Sequence, residues 1–232
     1  MNRNLQVNKS YRPPEISVKA VVFDMDGLML NTEDLYDVVG SRLLARRGLL
    51  FSHDIKRSMM GRKATEAFEV LRTNCGLADS VDSLITESDE LMRQLLDSGD
   101  HLAQMPGLGQ LLAFLEAKRI PKAVATSSSR KFADRVLGNF NLTQRFEFVL
   151  CGDDVLQGKP NPEIYLTAAA RLAISATEML VLEDSVLGSQ AAVSAGAFTV
   201  AVPSQPTLTG DFDHVQLVVT SLESAELTRL FG

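Results

Sequence analysis

The sequence predicts a doubly wound α/β domain with a helical insertion after its first strand, on three observations. From Met105-Pro106-Gly107 onward, short apolar segments alternate with helical patterns, which is the signature of a parallel sheet covered on both faces. From Glu33 to about Gly99 the pattern is helical throughout, with no strand alternation and no β-branched run. The apolar segments also end in acidic residues, hydroxyls and a lysine, where open parallel sheets bind their ligands.

Each element follows in order. Val18–Phe23 is an apolar strand. Asn31 or Thr32 then caps a helix over Glu33–Arg47, which Gly48 ends. Shorter helical patterns cover Ser52–Met60, closed at Gly61, and Ala64–Cys75, closed at Gly76. Val81–Leu96 carries apolar Leu84, Ile85, Leu91, Leu95 and Leu96 among polar residues. Beyond Gly107 come helix Leu108–Lys118, strand Lys122–Thr126, helix Lys131–Leu137 and strand Phe146–Leu150. Helix Pro162–Leu172, strand Met179–Leu182, helix Val186–Ala195 and strand Phe198–Val202 continue the alternation. Strand Gln216–Val219 and helix Leu222–Leu230 close it. Three parts are expected: a flexible arm over 1–17, a core over 18–32 and 104–232, and an inserted helical bundle over 33–103.

The chain has 232 residues and is 45% hydrophobic, enough for a real core. No apolar run approaches the ~18 residues of a membrane span. A net charge of -6 gives no basic footprint for nucleic acid. Cys75 and Cys151 form no disulfide framework, and the polar N-terminus lacks the apolar stretch of a signal peptide. A cytoplasmic monomer, with neither nucleic acid nor membrane as partner, is the expectation.

The strand ends raise the chemical question. Val21-Val22-Phe23 runs straight into Asp24-Met25-Asp26, and the strand at Val124 ends in Thr126-Ser127-Ser128-Ser129. The strand at Leu150 leads to Gly152-Asp153-Asp154 and then Gly158-Lys159-Pro160; the strand at Leu182 ends in Glu183-Asp184-Ser185. Each of these alone reads as a helix cap or a solvated loop. Together they place two acidic clusters on different strands at one sheet edge, where at close range they repel unless a cation lies between them. Hard oxygen ligands beside a phosphate-sized space favour Mg²⁺, and the hydroxyls with Lys159 supply donors for an anion. One carboxylate then serves as nucleophile toward phosphorus and the other as acid and base. Gly27 lets the backbone turn sharply after Asp26.

These residues form four ordered motifs over roughly residues 18 to 220: Asp24-Met25-Asp26-Gly27, Thr126 at a strand end, Gly158-Lys159-Pro160, and Glu183-Asp184-Ser185-Val186-Leu187-Gly188. In this the chain resembles the haloacid dehalogenase superfamily of phosphohydrolases, in the subfamily with a helical cap after strand one. The resemblance implies that Asp24 is the nucleophile and a Mg²⁺ ligand. It implies that Asp26 is the general acid/base and a ligand through its backbone carbonyl. Asp184 completes the protein ligands and Glu183 supports the metal's waters. Thr126 and Lys159, with Ser127, hold the phosphoryl group of a small phosphorylated metabolite. Met59-Met60-Gly61-Arg62-Lys63-Ala64, Met105-Pro106-Gly107 and Ile120-Pro121 resemble the branch that contains pseudouridine-5′-phosphatase. Asn31 departs from the Asp usual at that place.

The insertion must choose the leaving group. Arg62 and Lys63 either reach over the site or sit solvated at a helix end, and Tyr36 either faces the cleft or packs between helices. His53, His101 and His214 read as surface residues, and Cys151 as a small buried hydrophobe. A phosphomutase of the β-phosphoglucomutase kind carries a His where this chain has Tyr36 and an Arg where it has Ala64. A dehalogenase needs neither Asp26 nor Glu183-Asp184. A non-catalytic binding protein on the same fold has no reason to keep the whole charged set.

Overall fold

The computed structural model describes residues 17–98, 102–204 and 207–232. The expected N-terminal arm, but for Ser17, and His101 lie outside the described residues. Strands β1 (Ala20–Phe23), β2 (Lys122–Ala125), β3 (Val149–Leu150), β4 (Met179–Glu183), β5 (Phe198–Ala201) and β6 (Leu217–Val218) form one 6-stranded sheet in the order β3-β2-β1-β4-β5-β6. All neighbouring pairs are parallel, with Phe23 opposite both Val124 and Leu182. The sequence order therefore reverses on either side of β1, which makes the carboxyl end of β1 the place where connections diverge and a crevice opens.

Strand periodicity divides the core. Val21 and Phe23 of β1 and Leu180 and Leu182 of β4 join one hydrophobic cluster; it takes in Leu108, Leu111, Leu112 and Leu115 of α5 (Leu108–Ala117) and Val136 and Leu137 of α6 (Arg130–Asn139). Val22, Met179 and Val181 point the other way, onto α7 (Glu163–Arg171) and α8 (Val186–Ser194). Lys122 departs from the apolar pattern: it opens β2, is buried, and reaches Glu116 Oε1 at 3.2 Å. The last strand and the C-terminal helix α9 (Ala225–Arg229) are shorter than their sequence patterns, with Leu227 keeping that helix on the core.

Helices α1 (Thr32–Ala45), α2 (His53–Met59), α3 (Ala64–Cys75) and α4 (Val81–Ser98) lie between β1 and α5 and pack on one another. Ser52 caps α2 by accepting from the Ile55 amide, and Gly76 ends α3 at φ +62°. The two passages between sheet and insertion are tied together. Met105 N donates to Met29 O at 2.8 Å, and Asn31 N donates to Ala103 O at 3.1 Å. Asn31, expected as a helix cap, makes no capping bond; its Oδ1 instead accepts from the Ala103 amide at 2.6 Å. Its side chain thus staples both passages. Among the described residues no helix is long and apolar enough to cross a membrane.

Candidate active site

The carboxyl ends of β1, β2 and β4 meet under the insertion. Backbone pairing fixes the carboxylates: Asp24 follows β1 with its amide on Leu182 O, and Glu183 is the last residue of β4. Carboxylate oxygens of Asp24, Glu183 and Asp184 lie within 4.8 Å of one another, all three residues buried. Lys159, 2% exposed, sits among them. Its Nζ donates to Asp24 Oδ1 at 2.6 Å, to Glu183 Oε1 at 2.6 Å and to Ala125 O at 3.1 Å, using all three protons. Tyr165 completes the cluster: its hydroxyl donates to Glu183 Oε1 at 2.8 Å and its ring lies 5.1 Å from the ammonium.

Lys159 bonds two of the three carboxylates and Asp184 adds a third, so buried negative charge is in excess. Burial raises the Asp24 carboxyl well above its ordinary range; Lys159 opposes this, and Glu183 and Asp26 add to it. Burial raises Asp184 likewise, with Asp24 and Glu183 reinforcing it. For Lys159 burial alone would favour the neutral amine, but Asp24 and Glu183 outweigh it and hold the pKa above the ordinary value.

Each carboxylate is oriented by neighbours. Glu183 Oε2 accepts from Ser185 N at 3.1 Å and Ser185 Oγ at 3.0 Å, while Ser185 Oγ caps α8 through Gly188 N. Asp184 Oδ2 accepts from Ser204 Oγ at 2.9 Å. Gly27 is required twice: its φ is +79°, and a side chain there would collide with the Asp184 carboxylate. Asp26 receives three hydroxyls: Thr32 on Oδ1 at 2.7 Å, and Thr126 and Ser128 on Oδ2 at 2.8 Å each. Thr126, expected to contact a phosphoryl group, is fully buried with its hydroxyl spent on Asp26. Ser204, Tyr165 and Thr32 carried no motif signal, because a lone hydroxyl acquires meaning only from what it faces.

Asp153 and Asp154 do not belong to this cluster. Asp153 accepts from the Arg130 amide at the start of α6, and Asp154 accepts from Cys151 N and pairs with the Arg130 guanidinium. The capping explanation is right for them and for Ser129, which accepts from Phe132 N. Cys151 is buried, and burial pushes its thiol up to about 12. His53 is exposed, whereas His214 corrects the surface reading: half-buried, its Nε2 lies 2.9 Å from Ser189 Oγ and its ring stacks on Phe212.

Above the carboxylates lies a cavity of about 230 Å³ shared with the insertion. Asp24, Asp26, Asp184 and Ser127 line it from the sheet side; Phe51, Met59, Arg62, Phe68 and Leu71 line it from the insertion. Tyr36 satisfies both of its readings: it lines the cavity, packs against Phe132 and shares a 3.1 Å hydrogen bond with Ser128. Arg62 faces the cavity with its Nε held by Ser58 O. Lys63 does not line it; its Nζ donates to Val155 O at 2.8 Å and ties the insertion to the sheet domain. Ser127 makes a second tie, donating to Gly61 O at 3.0 Å. Four polar residues of the insertion that line the cavity went unnoticed in the sequence: Glu33, Lys56, Ser88 and Asp89. Lys56 is buried, with Nζ 2.7 Å from Asp37 Oδ2 and 3.3 Å from Glu33 Oε2. Burial raises the Glu33 carboxyl to about 7 despite Lys56.

The sequence profile of the haloacid dehalogenase-like hydrolases matches residues 21–202. The chain is 36% identical over 195 residues to (DL)-glycerol-3-phosphatase 1, mitochondrial, of Arabidopsis thaliana, covering 81% of this chain but only 64% of that one. It is 32% identical over 207 residues to probable pseudouridine-5′-phosphatase of Drosophila melanogaster, covering 87% and 88% of the two chains. Among solved structures, CbbY from Rhodobacter sphaeroides in complex with phosphate superposes with a TM-score of 0.81 at 23% identity, over 89% of this chain and 96% of that one, a likeness of fold. The strand order, the buried acidic cluster at the strand ends and a profile match from β1 through β5 agree: the chain belongs to the haloacid dehalogenase-like hydrolases.

Proposed function

We propose that the protein is a Mg²⁺-dependent phosphoric monoester hydrolase that releases phosphate from a small organic phosphate through an aspartyl-phosphate on Asp24. The observation that carries this reading is the convergence of Asp24, Glu183 and Asp184 around Lys159 beneath a cavity that Asp26 also lines. The relatives, named for glycerol phosphate and pseudouridine 5′-phosphate, support a small organic phosphate as substrate.

The residues present fit a hard divalent cation. Three carboxylates are buried together while the one ammonium among them bonds only Asp24 and Glu183, and burial with mutual repulsion raises the carboxyls of Asp24 and Asp184, as expected of a cluster short of positive charge. Asp24 and Asp184, both lining the cavity, would hold the ion. When bound it would neutralise phosphoryl oxygens beside the carboxylates.

The chain's own groups divide the chemistry. Lys159 fixes Oδ1 of Asp24, so the other oxygen is the one directed at phosphorus. Attack forms the Asp24 O–P bond as the P–O bond to the leaving alcohol breaks, and Asp26 protonates that alcohol. Asp26 then takes a proton from a water that attacks phosphorus, which frees Asp24 and releases phosphate. Thr126 and Ser128 both donate to Oδ2 of Asp26 while Oδ1 has only Thr32, so Oδ1 is the better seat for the shuttled proton. The helical insertion acts as the cap, keeping bulk water from the acyl-phosphate. The test is phosphate release from p-nitrophenyl phosphate and a panel of metabolite monoesters, with Mg²⁺ and with chelator. Release by the wild type should need the metal, and Asp24→Asn should lower it by about 10³-fold or more. Wild-type rates from Asp24→Asn would exclude the covalent route, and rates indifferent to chelation would exclude the metal.

A further inference from the structure

The cavity lining carries Asp24, Asp26, Glu33, Asp89 and Asp184 against two cations, Lys56 and Arg62. The sheet-side acids are accounted for by the proposed cation and by proton transfer. Those of the cap are not. Lys56, the buried cation of the cap, is claimed by Glu33 and Asp37, so it presents no net positive charge to a ligand. The rest of the cap wall is largely apolar, with Phe51, Met59, Phe68, Leu71 and Met92. A ligand that reaches this wall therefore meets hydrogen-bonding groups at the half-buried Glu33, the buried Lys56 and the exposed Asp89, and no surplus of positive charge apart from Arg62. An anion placed there sits beside a carboxyl that burial already holds near 7, so its approach requires like-charge repulsion or uptake of a proton.

Building on the phosphatase reading, we propose that Glu33 and Asp89 select the leaving group. They admit monophosphates of neutral polyols and disfavour esters that carry a second anionic group, whether carboxylate or phosphate. Neutral hydroxyls suit this wall because they can donate to Glu33 and Asp89 and accept from Lys56. Selection operates by penalising the wrong partner, which is how a site with few specific contacts discriminates.

A matched pair of esters tests the proposal: glycerol 3-phosphate and 3-phosphoglycerate differ only in a hydroxymethyl against a carboxylate. Binding is read by calorimetry on Mg²⁺-loaded Asp24→Asn protein, which cannot turn the ligands over. Turnover by the wild type is read separately, so a failure of the phosphatase reading shows in turnover while the selectivity shows in binding. Glycerol 3-phosphate should bind at least about tenfold more tightly. Adding Glu33→Gln, or independently Asp89→Asn, should narrow that ratio by about threefold or more, chiefly by tightening 3-phosphoglycerate. Equal or tighter binding of 3-phosphoglycerate would overturn the proposal and make Arg62 a carboxylate receptor. So would a ratio that neither variant moves, or absence of binding by both esters.

Discussion

The two walls of the cavity are built from different materials. On the sheet side, Asp24, Glu183 and Asp184 are buried in a mesh of short bonds to Lys159, Tyr165, Ser185 and Ser204, anchored at strand ends in a parallel register. On the cap side, Glu33 and Lys56 stand among phenylalanines, methionines and leucines on helices joined to the sheet domain by two short passages. The sheet side is a place where charge is held still, which suits a chemistry common to every substrate. The cap side is held by packing and a few ties such as Lys63 to Val155 O, so it can vary its shape without disturbing the carboxylates.

The sharpest way to break this contrast is on the sheet side. Lys159→Met should lose about 3–5 kcal/mol of stability in denaturant titrations at neutral pH, since two buried carboxylates lose their only ammonium. The loss should shrink in acid as Asp24 takes up a proton; a loss independent of pH would show that packing and not charge is what Lys159 supplies.

Glu33 sets the corresponding experiment on the cap side. Its carboxyl titrates at about 7 in the folded protein and near 4.5 as an ordinary glutamate. The folded state therefore binds its proton more tightly, so Glu33 destabilises the fold above pH 7 and ceases to do so below about 4.5. The wild type should be less stable than Glu33→Gln at pH 8 by about 3 kcal/mol, with the gap closing as pH falls through that window. A constant gap would mean that burial of Glu33 is relieved in solution.

Smaller effects refine the division. Ser204→Ala should weaken Mg²⁺ binding by about tenfold, read calorimetrically, while leaving the melting temperature of metal-free protein within a few degrees. Lys63→Met should raise KM a few-fold with little change in kcat, because it removes a tie between the insertion and the sheet domain and touches none of the clustered carboxylates. A drop in kcat alone would place Lys63 in the chemistry instead.

Much of the sheet side was legible in the sequence because its residues are local to strand ends. Asp24-Met25-Asp26-Gly27, Lys159 and Glu183-Asp184 each sit where an apolar run stops, and the parallel sheet brings those stops to one edge. The same logic over-reached at Asp153 and Asp154, which look identical in sequence but are drawn to Arg130 and the start of α6. The cap side left little trace. Glu33 and Lys56 occupy two helices and read as ordinary surface charges until packing sets them side by side, Lys56 buried and Glu33 half-buried.

The order of amino acids alone set the alternation of strands and helices, the placement of an all-helical insertion after β1, and the acidic, hydroxyl and lysine residues that stand at the strand ends. These follow from periodicity and from residue type at fixed points along the chain. Tertiary structure decided which hydroxyl serves which carboxylate, as with Thr126 on Asp26 and Ser204 on Asp184, and which charges meet in the cavity. Such pairings join residues from 20 to 100 positions apart, and a hydrogen bond or an ion pair depends on separations of tenths of an ångström that no local pattern encodes.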